Sequence, residues 1–124
     1  MKSILNFMKS EMENSNIPYD FMEWNKKLTF PYFVGEITEI PTLDEDGQSQ
    51  YQFILTGTDQ KTITNMLSVN EKLKNKYKYG YKTILDNKSG IVVIYENMLP
   101  IPTQSMGDDI RRIQINLRIK LWEI

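Results

Sequence analysis

The 124 residues include no cysteine and no histidine. Without cysteine there is no disulfide framework and no thiol nucleophile, and nothing hints at an oxidising compartment. Without histidine the commonest general base and the commonest metal ligand are missing, and with both residue types absent the usual zinc sites are excluded. A magnesium or calcium site made of carboxylates alone is still open, but it needs them clustered. No apolar run approaches the roughly 20 residues of a membrane-spanning helix. The opening MKSILNFMKSEMENS lacks a long apolar segment and a small-residue cleavage site, so it is not expected to be a secretory signal. Also missing are a glycine-rich phosphate loop, a nucleophile elbow, and any histidine to activate a serine. These absences predict a protein that is not an enzyme, with no cofactor, no metal and no membrane partner. Expression in the cytosol is the default expectation.

What is present fits one domain over residues 1–124, with 40% hydrophobic and 25% charged residues. The net charge of −1 hides an asymmetry. Residues 1–60 carry 4 Lys/Arg against 10 Asp/Glu, and residues 61–124 carry 11 against 6. One reading is a solvated surface of uneven sign. The sharper one is self-complementarity, in which the acidic side of one copy meets the basic side of the next and a heterologous contact closes into a ring.

The most telling stretch is RRIQINLRIKLWEI, Arg111 to Ile124. Ile113, Ile115, Leu117, Ile119 and Leu121 alternate with Arg112, Gln114, Asn116, Arg118 and Lys120. Period two with β-branched residues on the apolar side predicts a long strand with one face on a core. Upstream, Ile4, Leu5, Met8 and Met12 predict a short amphipathic helix over 3–13, with Ser3 as its cap. Residues 17–28, rich in aromatics, predict a packed connector or an early strand. Phe30 to Ile40 reads as a strand that is covered on both sides or changes face at Gly35, where a bulge or a close backbone approach is expected. Leu43 to Gln50 is a polar turn with a hairpin signal at Asp46-Gly47, leading into a strand over Tyr51–Gly57. Three acids in that turn, Asp44, Glu45 and Asp46, lack the spacing of a calcium loop. Residues 60–78 predict the main helix, capped by Thr58 or Asp59, carrying Ile63, Met66, Leu67, Asn70, Leu73 and Tyr77 on one face and stopped by Gly80. Tyr81 to Leu85 is a short extended piece. Ile91 to Met98 is nearly continuous in apolar residues and predicts a central strand, broken by Leu99-Pro100-Ile101-Pro102. Residues 103–109 read as a loop. The expected fold is α+β: a mixed or antiparallel sheet of four to five strands with two helices packed on one face.

Each functional candidate has a plainer reading beside it. Lys72, Lys74, Lys76 and Lys78 suit either a nucleic-acid patch or the C-terminal end of a helix dipole, and the second fits the acidic pI better. Glu36, Glu39 and Glu96 are acid–base candidates only if the fold brings them together; otherwise they are surface charge. The row Arg112, Gln114, Asn116, Arg118 is either a solvated sheet face or a subunit interface, where arginine is enriched. It lacks the interleaved aromatics of a base-stacking platform, so sequence-specific nucleic-acid binding is not expected.

Three stretches carry a family likeness: FPYFVGEI with its acidic turn and FILTGT (Phe30–Ile37, Phe53–Thr58), SGIVVIYENMLPIPT (Ser89–Thr103), and the closing RRIQINLRIKLWEI. Together they resemble small tail proteins of tailed phages and prophages of Gram-positive bacteria. The element order is similar to the siphophage tail-terminator (minor tail protein) family of head–tail joining proteins. The resemblance implies a non-enzymatic protein whose copies assemble into a ring, commonly a hexamer, that caps the tail tube and faces the head connector. It would sit in the virion tail and be assembled in the host cytoplasm. Its partners would be itself, the tail tube protein and head connector proteins. The residues expected at such contacts are Asp44, Glu45, Asp46, Met98, Leu99, Met106, Arg111, Arg112, Arg118 and Lys120. The alternative is a small regulatory or ligand-binding α+β module without catalysis, with a pocket lined by Tyr19, Trp24 and Tyr95.

Overall fold

The computed structural model describes residues 2–41, 48–102 and 109–122. Its elements are α1 (Lys2–Asn14), β1 (Tyr19–Phe21), β2 (Tyr32–Ile40), β3 (Gln48–Gln60), α2 (Thr64–Tyr77), β4 (Tyr81–Ile84), β5 (Gly90–Ile101) and β6 (Ile110–Trp122). The class is α+β, but the sheet has six strands rather than four or five, in the order β1-β2-β3-β6-β5-β4. The extra strands are the short ones at its ends. The sheet is curled, and only β1 runs parallel to its neighbour.

Strand β6 lies at the centre, hydrogen-bonded to β3 from Gln60↔Ile110 to Gln48↔Trp122 and to β5 on its other side. Its apolar alternation faces the helices: Ile113, Ile115, Leu117 and Ile119 are fully buried and Leu121 nearly so. They form one core with Phe33, Phe53 and Leu55 of β2 and β3, Ile4, Met8 and Met12 of α1, and Met66, Leu73 and Tyr77 of α2. At roughly 1.5–3 kcal/mol for each fully buried side chain, these rows hold the helices on the sheet. The helices are also tied to each other. The Tyr77 hydroxyl donates to Glu11 Oε1 at 2.8 Å, Lys76 Nζ pairs with the same oxygen at 3.1 Å, and Lys72 Nζ donates to the Ser15 carbonyl at 2.9 Å. Burial, and then the bond to Glu11, holds the Tyr77 phenol well above its ordinary ionisation range. Tyr19, packed on Phe53, is pushed up to about 12 by burial and by neighbouring Asp20.

Several sequence expectations are corrected. Ser3 lies inside α1 rather than capping it, and its hydroxyl accepts from Asn87 Nδ2 at 3.3 Å. Thr58 and Asp59 do not cap α2. Because β6 is long enough to pair with β3 through Gln60, both are buried in that ladder, and α2 starts after Ile63 with no side-chain cap. Gly35 is not a bulge, since β2 and β3 pair without interruption. It is a close approach, where a Cβ would lie 2.7 Å from the Tyr19 ring. Leu99-Pro100-Ile101 does not break β5, because Pro100 pairs opposite Ile113. β4 covers only Gly90–Val93, so no described strand pairs the outer edge of the rest of β5, where proline is tolerated. β5 lies between β6 and β4, next to the end of the sheet rather than at its centre. Gln48–Gln50 belong to β3, not to the turn, and the rest of the turn, residues 43–47, lies outside the described residues. Tyr19–Phe21 is a strand, and the stretch after it is an irregular connector in which Trp24 stacks on Tyr32 at 5.0 Å.

Candidate functional site

The helices cover one face of the sheet, and no described element covers the other, here called the open face. Cross-strand register fixes what this open face carries. From β6 come Arg112, Gln114, Asn116, Arg118, Lys120 and Trp122. Beside them on β3 stand Thr58, Thr56, Ile54, Gln52 and Gln50, and on β5 Ile101, Leu99, Asn97, Ile94 and Val92. β5 slips register between Tyr95 and Asn97, which leaves Glu96 as the extra residue of a bulge on the rim of this face.

The polar row is partly self-satisfied. Gln114 Nε2 donates to Asn116 Oδ1 at 3.0 Å, and Asn116 Nδ2 donates to Asn97 Oδ1 at 2.7 Å. Arg118 forks, with Nη1 on Gln50 Oε1 at 3.2 Å and Nη2 on Glu96 Oε2 at 3.1 Å, the latter an ion pair. Two atoms are left over. The Nε atoms of Arg112 and Arg118 are buried and have no hydrogen-bond partner among the described residues. Arg112 lies in the row Tyr32–Thr58–Arg112–Ile101, which offers it no carboxylate.

At the other end of the face is a groove of about 380 Å³. It is lined by the apolar Val92 and Ile94, by Lys78, Lys82 and Lys120, and by Tyr79 and Trp122. Tyr79 is 88% exposed, with Lys78 Nζ 5.1 Å from its ring centre.

Of the ten residues expected at contacts, Arg112, Arg118, Lys120 and Leu99 come together on the open face. Met98 does not: opposite Ile115, it turns toward the helices and packs against the core. Arg111 also falls on the helix side, opposite Asp59, with Nη1 on the Ile110 carbonyl at 3.0 Å. Asp44, Glu45, Asp46 and Met106 lie outside the described residues. The sequence did not point to Gln50, Asn97, Lys82 or Trp122 as contacts, and it offered Glu96 only as an acid–base candidate. Trp122 was legible as the next even position of β6, whereas Glu96 depends on a bulge that no spacing announces.

Among the described residues, neither a ligand pocket nor a carboxylate pair forms as the sequence allowed. Tyr19 is on β1, and Tyr95 is on β5 with its hydroxyl on Asn70 Oδ1 at 2.9 Å; β2, β3 and β6 lie between those strands. Trp24 stands on Tyr32, and none of the cavities is lined by all three residues. Glu36 and Glu39 fall on opposite faces of β2, and two strands, β3 and β6, separate them from Glu96. Among the described residues no group of three or more acidic side chains is placed to hold a metal ion, and no helix is long and apolar enough to cross a membrane.

No family model matches the chain, and no curated protein or solved structure matches it.

Proposed function

We propose that the chain is a structural subunit of a phage or prophage tail, a tail terminator or head–tail joining protein whose copies close into a ring on the tail tube. Its mechanism is stoichiometric: surfaces recognise one another, and no bond is made or broken. The observation that carries this reading is the open sheet face, with two half-buried arginines whose Nε atoms have no partner among the described residues. A buried donor left unpaired costs about 1–3 kcal/mol, and an acceptor from a second protein removes that cost. Arginine and tryptophan side chains on a partly apolar face are also what protein interfaces favour. The resemblance to tail terminators supplies the identity of the partners: the tail tube protein below and the head connector above.

The test is the mass of the purified protein in solution, measured by light scattering over a range of concentration and salt. The expected result is a closed multiple of the 14.6 kDa chain, near six copies, that dissociates as salt rises. A monomer at high concentration and low salt would overturn the preformed ring.

A further inference from the structure

The sheet ends in two edges that no described residue of this chain pairs. At one end, β1 covers β2 only from Phe33 to Gly35, so no described strand pairs the outer edge of Glu36–Ile40. At the other end no described strand pairs with the outer side of β4, Tyr81–Ile84. Unpaired edges of this kind are templates for another strand, and proteins normally blunt them with charge. Both edges here are charged, with opposite signs. The β2 edge carries Glu36 and Glu39, both exposed. The β4 edge carries Lys82, and Lys78, Lys88 and Lys120 around it outnumber Asp86.

The signs select the pairing. Two β2 edges would set glutamate against glutamate, and two β4 edges lysine against lysine, which disfavours both symmetric contacts. Only β2 against β4 brings unlike charges together. That contact is heterologous, the kind that repeats around a ring. The backbone agrees. Each step from β2 through β3, β6 and β5 to β4 is antiparallel, so the two outer strands run in the same direction. Lys82 lies in the row of Ile40, so setting Glu36 beside Lys82 and Thr38 beside Ile84 shifts the added strand four residues along its direction. That is the stagger of copies related by rotation about an axis tilted to the strands; they join as a parallel pair with their open faces continuous. The free lengths also match, at five residues and four. By strand alternation Glu36, Thr38 and Ile40 share the open face with Lys82 and Ile84, and Ile84 is a 73% exposed isoleucine.

We infer that the subunit contact is strand addition, in which the acidic β2 edge of one copy pairs with the basic β4 edge of the next and Glu36 enters the groove of Lys78, Lys82 and Lys120. This rests on the ring reading above and specifies its geometry.

The absence of cysteine makes a direct test possible. A Thr38→Cys, Ile84→Cys variant, oxidised at a concentration where the wild type associates, should give a ladder of disulfide-linked multimers. Within one copy the two positions are four strand spacings apart along the sheet, about 19 Å, beyond the roughly 7 Å a disulfide spans. Charge reversal is the second arm. Glu36→Lys alone and Lys82→Glu alone should each weaken self-association about ten-fold or more. An equimolar mixture of the two, or the double variant, should restore it. Unchanged circular dichroism and melting of these surface variants would show that the fold is intact. An oligomer that survives both single reversals and forms no ladder would overturn the edge pairing and leave the ring standing. A wild-type monomer under all conditions would overturn both.

Discussion

The two faces of β6 are built from adjacent residues and meet opposite surroundings. On one side Ile113, Ile115, Leu117 and Ile119 have no exposure at all and touch both helices' core residues. On the other side Arg112, Gln114, Arg118 and Lys120 are half-buried by one another and by neighbouring strands, with no described element above them. The first face is finished within one copy, since every apolar group has its contacts. The second is only partly finished: its amides and one arginine fork are satisfied locally, yet two guanidinium Nε atoms are desolvated without an acceptor among the described residues. A strand can thus contribute stability with one face and leave the other for a partner, and single substitutions on the two faces should separate these roles.

The largest effect belongs to the finished face. Leu117→Ala removes a fully buried side chain between Phe53 of β3 and Tyr95 of β5. Equilibrium unfolding in urea should show a loss of about 2–5 kcal/mol, the transfer term plus a cavity the sheet cannot close. A loss below about 1 kcal/mol would mean that this face is not the core.

A smaller effect is expected where the core includes a polar pair. Tyr77→Phe removes the hydrogen bond to Glu11 and leaves that carboxylate to Lys76, so it should cost about 1–2 kcal/mol near pH 7. The pH dependence carries a sign. Burial raises the phenol pKa of both Tyr77 and Tyr19 above the unfolded value of 10.0, so the folded state holds these protons more tightly. Their neutral forms leave stability intact below pH 10, and it is lost as pH climbs from 10 toward the raised values. Unfolding free energy should therefore fall above pH 10 in the wild type and fall less steeply in Tyr77→Phe, where only Tyr19, at about 12, still contributes. An equal alkaline slope in both proteins would refute the assignment.

Local pattern revealed one face fully and the other only in outline. The five apolar positions of β6, the stripe of α2 with Asn70 in it, and the amphipathic α1 were all readable, because each repeats at the period of its element. What failed depended on partners distant in sequence. Thr58 and Asp59 look like caps until β6 proves long enough to hold them in a ladder. Pro100 looks like a stop until β4 proves too short to need its N–H. Met98 and Arg111 were themselves expected at contacts, yet strand alternation turned them toward the helices. Arg112, Arg118 and Lys120 were found because they shared a parity. Glu96, which completes the Arg118 fork, was not, because a bulge carries no periodic signal.

The smallest expected change in stability is the one that best separates the two faces. Arg118→Ala sits next to Leu117 but on the open side, where its ion pair with Glu96 is about a third exposed. Exposed pairs contribute about 0–1 kcal/mol, and the substitution also removes an unpaired buried Nε, which offsets part of what the fork supplies. Urea unfolding of the isolated chain should therefore move by less than about 1 kcal/mol, several-fold less than for its neighbour Leu117→Ala. Self-association should respond more strongly, since the side chain that offers a desolvated donor to a partner is gone, and light scattering should show the oligomer dissociating at lower salt. If Arg118→Ala instead unfolds the protein as Leu117→Ala does, the open face is a second core and the contrast fails. If it changes neither stability nor mass, the partner of this face does not use Arg118, and Arg112 with its own unpaired Nε becomes the residue to replace.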